Sequence, residues 1–495
     1  MAEARRFLVG TFGCQMNEHD SERIASLLAA EGMVRTEDLE EADIVVLNTC
    51  CIRQNADDKL YGHLGQLKSV QERRPGLQIA VGGCLAQKDR ELLLERAPHV
   101  DAVFGTHNLG RVAALLELAR ASGEPVLEVL EAPGAGEGTD FPSAMAVRHD
   151  QPHAAWVTIQ VGCNNSCAFC IVPEVRGPEV SRPFGELVAE IEGLAARGTV
   201  EFTLLGQNVN SYGRDLTAKL RRSPAGHGDP AFLAGARWVR EGAFKPRPVF
   251  ADLLREIGAV PGVRRVRFTS PHPKDLRPET IAAMAETPTV CEQLHLPLQS
   301  GSDRILAAMR RGYTAKRYLG LLGEARAAVA DLAVTTDIIV GFPGETEEDF
   351  ERTLEVASQA GYDSAYTFVF SPRPGTRAAQ MTELYVPADE IADRFDRLKV
   401  VVERSALARN LARVGRVEEA IVEGPSKKDP EVLSGRTRQG KLVHFPPPAR
   451  DDLAPGTFVG VRVYHAAPHH LSGTLVSVEK GPARRVGKLI PVAAC

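Results

Sequence analysis

The sequence predicts an α/β protein in three parts: an amino-terminal parallel-sheet domain, a central incomplete barrel of six strand–helix units, and a small antiparallel β-barrel at the carboxyl end. Three observations predict it. Strand-like runs ending near Cys14, Cys50 and Cys84 recur at 50 minus 14 and 84 minus 50, or 36 and 34 residues, each about one strand–helix–strand unit. Between 151 and 385 six further apolar runs alternate with helical stretches, which argues for a parallel sheet. Beyond residue 412 the runs become short and turn-separated, as in a closed antiparallel barrel.

The amino-terminal domain is assigned to 1–130. Phe7-Leu8-Val9, Asp43 to Leu47 and Gln78 to Val81 are its strand-like runs, and Gly13, Gly82 and Gly83 suit tight strand-to-helix turns. The carboxyl ends of parallel strands joined by right-handed crossovers lie along one edge, so Cys14, Cys50 and Cys84 are expected to converge and to form a second metal site. Cys51 adjoins Cys50, and spacing alone does not choose between them. Residues 131–150 turn to Pro, Gly and polar residues and read as a linker.

In the central part, 151–385, the expected strands are Trp156 to Val161, Phe202 to Leu205, Val263 to Phe268, Gln293 to Leu296, Thr336 to Val340 and Ala365 to Phe370. Phe184 to Arg197, Asp303 to Met309 and Glu347 to Gln359 are helices between them. Each strand is followed by a polar or Gly-rich turn, and in barrels such turns surround the site. The first turn holds Cys163, Cys167 and Cys170 in a Cys-x3-Cys-x2-Cys run. Three soft thiolates on one short loop suit three corners of a four-iron cubane whose fourth iron keeps an open position. Such an iron can chelate the amine and carboxylate of S-adenosylmethionine and cleave it to a radical. Zinc would want a fourth ligand, and no cysteine or histidine follows within reach. The other turns offer Gly206, Gln207, Asn208, Ser270, Gln299, Ser300 and Asp337 as cofactor-binding candidates, and His272 and His295 as candidate acid or base.

A helical connector is expected over 386–411 and the small barrel over 412–480, with strands at Glu418 to Val422, Leu442 to Phe445, Phe458 to Tyr464 and Ser472 to Val478. Its loops carry Lys427, Lys428, Arg436, Arg438 and Lys441 against Asp429 and Glu431, an excess suited to phosphates, with Phe445 or Tyr464 for stacking.

Bulk properties frame these readings. The 495 residues carry a net charge of −5 with 44% hydrophobic and 25% charged residues, which excludes a disordered chain. No apolar run approaches a membrane span, and nine cysteines without a secretory leader predict a cytoplasmic protein with reduced thiols. A nucleic-acid partner would have to be met by a local basic patch.

Gly13-Cys14-Gln15-Met16-Asn17, Asn48-Thr49-Cys50, Gly82-Gly83-Cys84, the cysteine loop, Arg176 to Pro183, Leu205 to Asn210, His295 to Ser302 and Gly341 to Thr346 together resemble the radical-SAM methylthiotransferases, in order over nearly the whole chain. The resemblance implies a Rossmann-like first domain, a (βα)6 radical-SAM barrel and a TRAM domain that engages RNA. It implies one 4Fe-4S cluster on Cys163, Cys167 and Cys170 and an auxiliary 4Fe-4S cluster on Cys14, Cys50 and Cys84, with Cys51 standing where a small polar residue is usual. The Gly-Gln-Asn-Val-Asn and Phe-Ser-Pro-Arg-Pro-Gly-Thr segments are more similar to the tRNA branch, which methylthiolates carbon 2 of N6-isopentenyladenosine beside the anticodon. The alternative is the sister branch acting on a ribosomal-protein aspartate, or another modified adenosine. By the same resemblance, two S-adenosylmethionine molecules serve each product, and sulfur comes from the auxiliary cluster. The implied partners are tRNA bearing isopentenyladenosine, a flavodoxin or ferredoxin reductant, and an iron–sulfur or sulfur carrier, with no membrane. The stretch 213–248, rich in Arg, Pro and Gly, is longer than the family's usual connection and reads as a solvated loop, with RNA contact as the alternative.

Overall fold

The computed structural model describes residues 4–50, 54–130, 151–222, 228–240, 245–448 and 453–479. Cys51 and the 131–150 linker lie outside them.

The first domain is a parallel sheet of β1 (Arg6–Thr11), β2 (Val34–Arg35), β3 (Ile44–Thr49), β4 (Gln78–Gly83), β5 (Ala102–Phe104) and β6 (Val126–Glu128), in the order β2-β1-β3-β4-β5-β6. β3 and β4 are buried throughout, as central strands covered on both faces must be. Only β1, β3 and β4 are legible as apolar runs. β2 is a two-residue exposed edge, and β5 and β6 have three residues each.

The central domain begins with β7 (Ala154–Thr158), whose continuation β8 (Gln160–Val161) peels away to pair antiparallel with β9 (Val180–Ser181). The single strand expected over 156–161 is therefore split, and the split carries the chain into the cysteine loop. Then follow β10 (Glu201–Leu205), β11 (Arg265–Phe268), β12 (Gln293–His295), β13 (Ala333–Val340) and β14 (Ser364–Val369). β7-β10-β11 and β12-β13-β14 are parallel halves joined by a bridge between Val266 and Val290. One continuous core fills the arc, including Phe202, Leu204, Val266, Leu294 and Ile338, each fully buried. The 213–248 stretch is not a plain solvated loop. Its described residues include helices Arg214–Arg222, Pro230–Ala234 and Ala236–Arg240, and Trp238 is 3% exposed in the central core.

Helix Ala388–Leu411 leads to the closed barrel of β15 (Val417–Pro425), β16 (Leu433–Thr437), β17 (Leu442–Phe445), β18 (Phe458–Ala466) and β19 (Leu471–Val478). Two differences from expectation stand out. β16 is a fifth strand, unread because Leu-Ser-Gly-Arg-Thr has no apolar alternation, and β17 pairs with β19 in parallel while the other pairings are antiparallel. Phe445 is 1% exposed in this barrel's core, which removes it as a stacking platform, whereas Tyr464 is 61% exposed.

Candidate metal and cofactor centre

β1, β3 and β4 are neighbours, with Thr11 opposite Asn48 and Thr49 opposite Gly83. Cys50 and Cys84 thus leave their strands at the same level, and Cys14 caps the helix Gln15–Ala30 that follows β1. A buried asparagine lock holds the ends together: Asn17 Nδ2 donates to Thr49 O at 3.0 Å, and Asn48 Nδ2 donates to Asn17 O at 2.8 Å. Gly13 permits the close approach. Its φ is +149°, and a Cβ there would stand 2.4 Å from Cys50 Cβ. A hydrogen bond with Cys50, aided by the nearby Arg176 charge, draws the Cys14 thiol down to about 6.

The loop trio is built differently. Gly162 has φ +74°, and a Cβ there would lie 2.0 Å from Pro178 O, so the backbone passes where no side chain fits. The Cys163 N–H donates to Gly177 O at 3.1 Å. Burial pushes the Cys163 thiol up to about 12 and raises Cys170 as well. Arg311, 6% exposed, donates to Cys167 Sγ at 3.3 Å.

Cys14, Cys84, Cys163, Cys167 and Cys170 line one cavity of about 1670 Å³, with Cys50 buried close to Cys14. Among the described residues, no three Cys, His, Asp or Glu side chains converge tightly enough to hold a single ion. Two sets of three soft sulfur donors, five of them lining one cavity, fit iron–sulfur clusters by their chemistry.

Of the cofactor candidates, Gly206, Gln207, Ser270, Gln299 and Asp337 line this cavity. Gln207 and Gln299 each keep a buried Oε1 without a hydrogen-bond partner, as acceptors awaiting a bound group would. Ser270 and Gln299 sit at φ 58° and 67°, a conformation costly for non-glycine residues and characteristic of functional turns. Asn208 and Ser300 do not reach the cavity. Asn208 Nδ2 donates to Asp275 at 2.9 Å, and the Ser300 hydroxyl accepts the Ser302 N–H at 3.2 Å, so both build turns. His272 and His295 lie on the cavity. Burial first, then Arg311 and Lys274, lowers His272 and keeps its ring neutral, while His295 lies 3.4 Å from Asp337 Oδ2 and 2.9 Å from Thr335 Oγ1.

The basic candidates separate. Lys427 and Lys428 are exposed on the loop after β15, and Arg436 lines the cavity while paired with Glu423 at 2.9 Å. Arg438 binds Glu292 at 2.8 Å, and the 8%-exposed Lys441 binds Asp363 at 2.8 Å, so both fasten the small barrel to the central one. The fully buried Arg265 completes that seam by donating to Arg436 O at 2.8 Å. Arg176, Arg311, Asn17 and Asn48 received no individual role from sequence; all but Arg311 lie within motif segments quoted above.

Three family matches follow the domains: Uncharacterized protein family UPF0004 over residues 6–105, Radical SAM superfamily over 157–357, and TRAM domain over 411–476. The second carries with it a 4Fe-4S cluster and S-adenosylmethionine. The tRNA-2-methylthio-N(6)-dimethylallyladenosine synthase 1 of Mycobacterium marinum is 49% identical, over 97% of this chain and 88% of its own. The synthase of the same name from Acidothermus cellulolyticus is 51% identical, over 94% and 87%. Among solved structures, the radical S-adenosylmethionine methyltransferase TsrM of Kitasatospora setae overlaps at a TM-score of 0.49 and 12% identity, over 76% of this chain and 75% of its own. No helix among the described residues is long and apolar enough to cross a membrane. With half its residues shared along nearly its full length, the chain belongs to the tRNA-2-methylthio-N(6)-dimethylallyladenosine synthase family.

Proposed function

We propose that this protein methylthiolates carbon 2 of N6-isopentenyladenosine beside the anticodon of tRNA. The observation that carries the reading is the single cavity lined by the loop trio and by Cys14 and Cys84 of the strand-end trio, with Cys50 buried beside Cys14. In this reading Cys163, Cys167 and Cys170 hold the 4Fe-4S cluster that works with S-adenosylmethionine, and Cys14, Cys50 and Cys84 hold a second one. The bound cluster and S-adenosylmethionine supply a radical, the reactivity that an adenine carbon–hydrogen bond otherwise lacks.

The chain's own residues bind, orient and exclude. Gln207 and Gln299 offer their unpartnered amide oxygens to the cofactor, and Ser270 holds its turn open beside them. The neutral His272 and the His295–Asp337 pair complete the polar wall. Glu345 shapes the following turn by accepting the Gly341 N–H at 2.8 Å, and burial pushes its carboxyl up to about 7. Exposed Lys427, Lys428 and Tyr464 suit the phosphates and bases of the RNA. A flavodoxin or ferredoxin supplies electrons, and an iron–sulfur or sulfur carrier restores what is donated.

The test is nucleoside mass spectrometry after incubating anaerobically reconstituted protein, S-adenosylmethionine and a reductant with isopentenylated tRNA. 2-Methylthio-N6-isopentenyladenosine is expected. Unmodified tRNA despite S-adenosylmethionine cleavage, or zinc-loaded protein that leaves S-adenosylmethionine intact, overturns the reading.

A further inference from the structure

Arg176 belongs to the central domain yet works inside the first. It ends the short helix Val172–Arg176, which begins two residues after Cys170. Ile171 and Val175 pack into the first domain's core together with Cys84, Leu85 and Ala86, and Val175 O accepts the Thr106 hydroxyl at 2.7 Å. At the end of this inserted turn the Arg176 side chain, 7% exposed, donates from Nε to Cys84 Sγ at 3.3 Å and from Nη2 to Asp20 Oδ2 at 2.8 Å. The next carbonyl, Gly177 O, accepts the Cys163 N–H. Two adjacent residues therefore touch a cysteine of each trio.

A buried guanidinium is expensive unless its charge is answered. Cys84 and Asp20, the latter itself 4% exposed and 2.8 Å away, answer it, with Cys14 nearby. Hydrogen bonds and positive charge at the sulfurs of an iron–sulfur centre favour its reduced, more negative form.

Resting on the reading that Cys14, Cys50 and Cys84 hold a cluster, we propose that Arg176 is a positioning residue that orients Cys84 and raises the reduction potential of that centre, with Asp20 as the opposing counter-charge. The test uses the full chain carrying Cys163→Ala, Cys167→Ala and Cys170→Ala, loaded anaerobically with iron and sulfide. Iron content and the midpoint of an EPR-monitored redox titration are read in this parent and with Arg176→Gln, Arg176→Lys or Asp20→Asn added. The parent is expected to hold about four irons. Arg176→Gln shifts the midpoint to more negative potential, Arg176→Lys restores part of the shift, and Asp20→Asn moves it the opposite way. A purely structural role gives no such opposed pair. Unchanged midpoints at full iron content overturn the role of Arg176 while leaving the cluster reading intact. Should Arg176→Gln lose its iron, the sign of the Asp20→Asn shift decides, a negative or null value overturning the inference. A parent that binds no iron overturns the cluster reading and this inference with it.

Discussion

Cys163, Cys167 and Cys170 share one loop, whereas Cys14, Cys50 and Cys84 leave the ends of three neighbouring strands, the first and last separated by 84 minus 14, or 70, positions. The loop trio is set mainly by local geometry, the Gly162 turn and the bond from Cys163 N to Gly177 O, with one distant donor, Arg311, on Cys167 Sγ. The strand-end trio needs sheet register, the Asn17–Asn48 lock and an arginine lent by another domain. Their electrostatics differ in the same sense. Burial holds the Cys163 thiol at about 12, so a metal entering the loop must displace protons, whereas the Cys50 contact and Arg176 bring Cys14 to about 6 before any metal arrives. The fold compensates Cys14 through Arg176 and Cys167 through Arg311, but leaves Cys163 dominated by burial.

The largest effects separate the trios by task. Cys170→Ala should abolish both 5′-deoxyadenosine formation and tRNA thiolation, read by chromatography of the products. Cys50→Ala should retain 5′-deoxyadenosine formation and lose thiolation. Retained thiolation in Cys50→Ala breaks the comparison and points to Cys51 instead.

Gly13→Ala sharpens it without touching a ligand. The new Cβ would stand 2.4 Å from Cys50 Cβ and 2.9 Å from Asn17 Oδ1, so the Cys14 turn or β3 must move. Overpacking of this kind typically costs about 1–3 kcal/mol. Reconstituted Gly13→Ala should lose roughly half the iron of a two-cluster protein. Its 5′-deoxyadenosine formation should persist, because the loop trio lies outside the strained turn. Loss of S-adenosylmethionine cleavage would mean that the two sites assemble as one.

The same contrast explains what the sequence reveals. The loop trio is legible because its cysteines fall within one short window. The strand-end trio is legible through equal phase in successive units, since β1, β3 and β4 are apolar enough to mark their own ends. Short or mixed elements escape: β5 has three residues, and β16 exposes no periodicity. Charged residues mislead for a related reason. Arg438 and Lys441 look like a free basic surface in a local window, but their partners Glu292 and Asp363 stand 438 minus 292, or 146, and 441 minus 363, or 78, residues away. Ser300 and Asn208 sit in the expected turns, yet their side chains face into the turn instead of the cavity, a choice made by Ser302 and Asp275.

A milder change probes the cation at the loop trio. Arg311 is buried with donors to Cys167 Sγ and the Tyr313 hydroxyl at 3.2 Å, and losing a hydrogen bond from a charged group costs on the order of 1.5–3 kcal/mol. Arg311→Gln should slow S-adenosylmethionine cleavage while leaving in place the iron we assign to Cys14, Cys50 and Cys84, measured as residual iron in a background carrying Cys163→Ala, Cys167→Ala and Cys170→Ala. Loss of that iron would show that Arg311 serves both trios, and the division between local and borrowed support would fail.

The smallest effect lies farther along the mouth, where Thr346 and Asp349 form a capping box at the start of helix Glu347–Ala360. Thr346 Oγ1 accepts the Asp349 N–H at 3.3 Å, and Asp349 Oδ2 accepts the Thr346 N–H at 2.9 Å. Thr346→Ala leaves that turn without its side-chain acceptor and should cost about 1 kcal/mol, seen as an earlier unfolding transition. Because the side chains of Thr346 and Asp349 bond to each other, Ser302 and Arg304 and, among the described residues, to no cysteine of either trio, iron content and the two product yields should stay at their parent values. A fall in S-adenosylmethionine cleavage without loss of iron would instead make the Gly341–Thr346 turn part of the cofactor wall, adding to the distant support that Arg311 and Phe342 already give the loop, and the contrast with the strand-end site narrows.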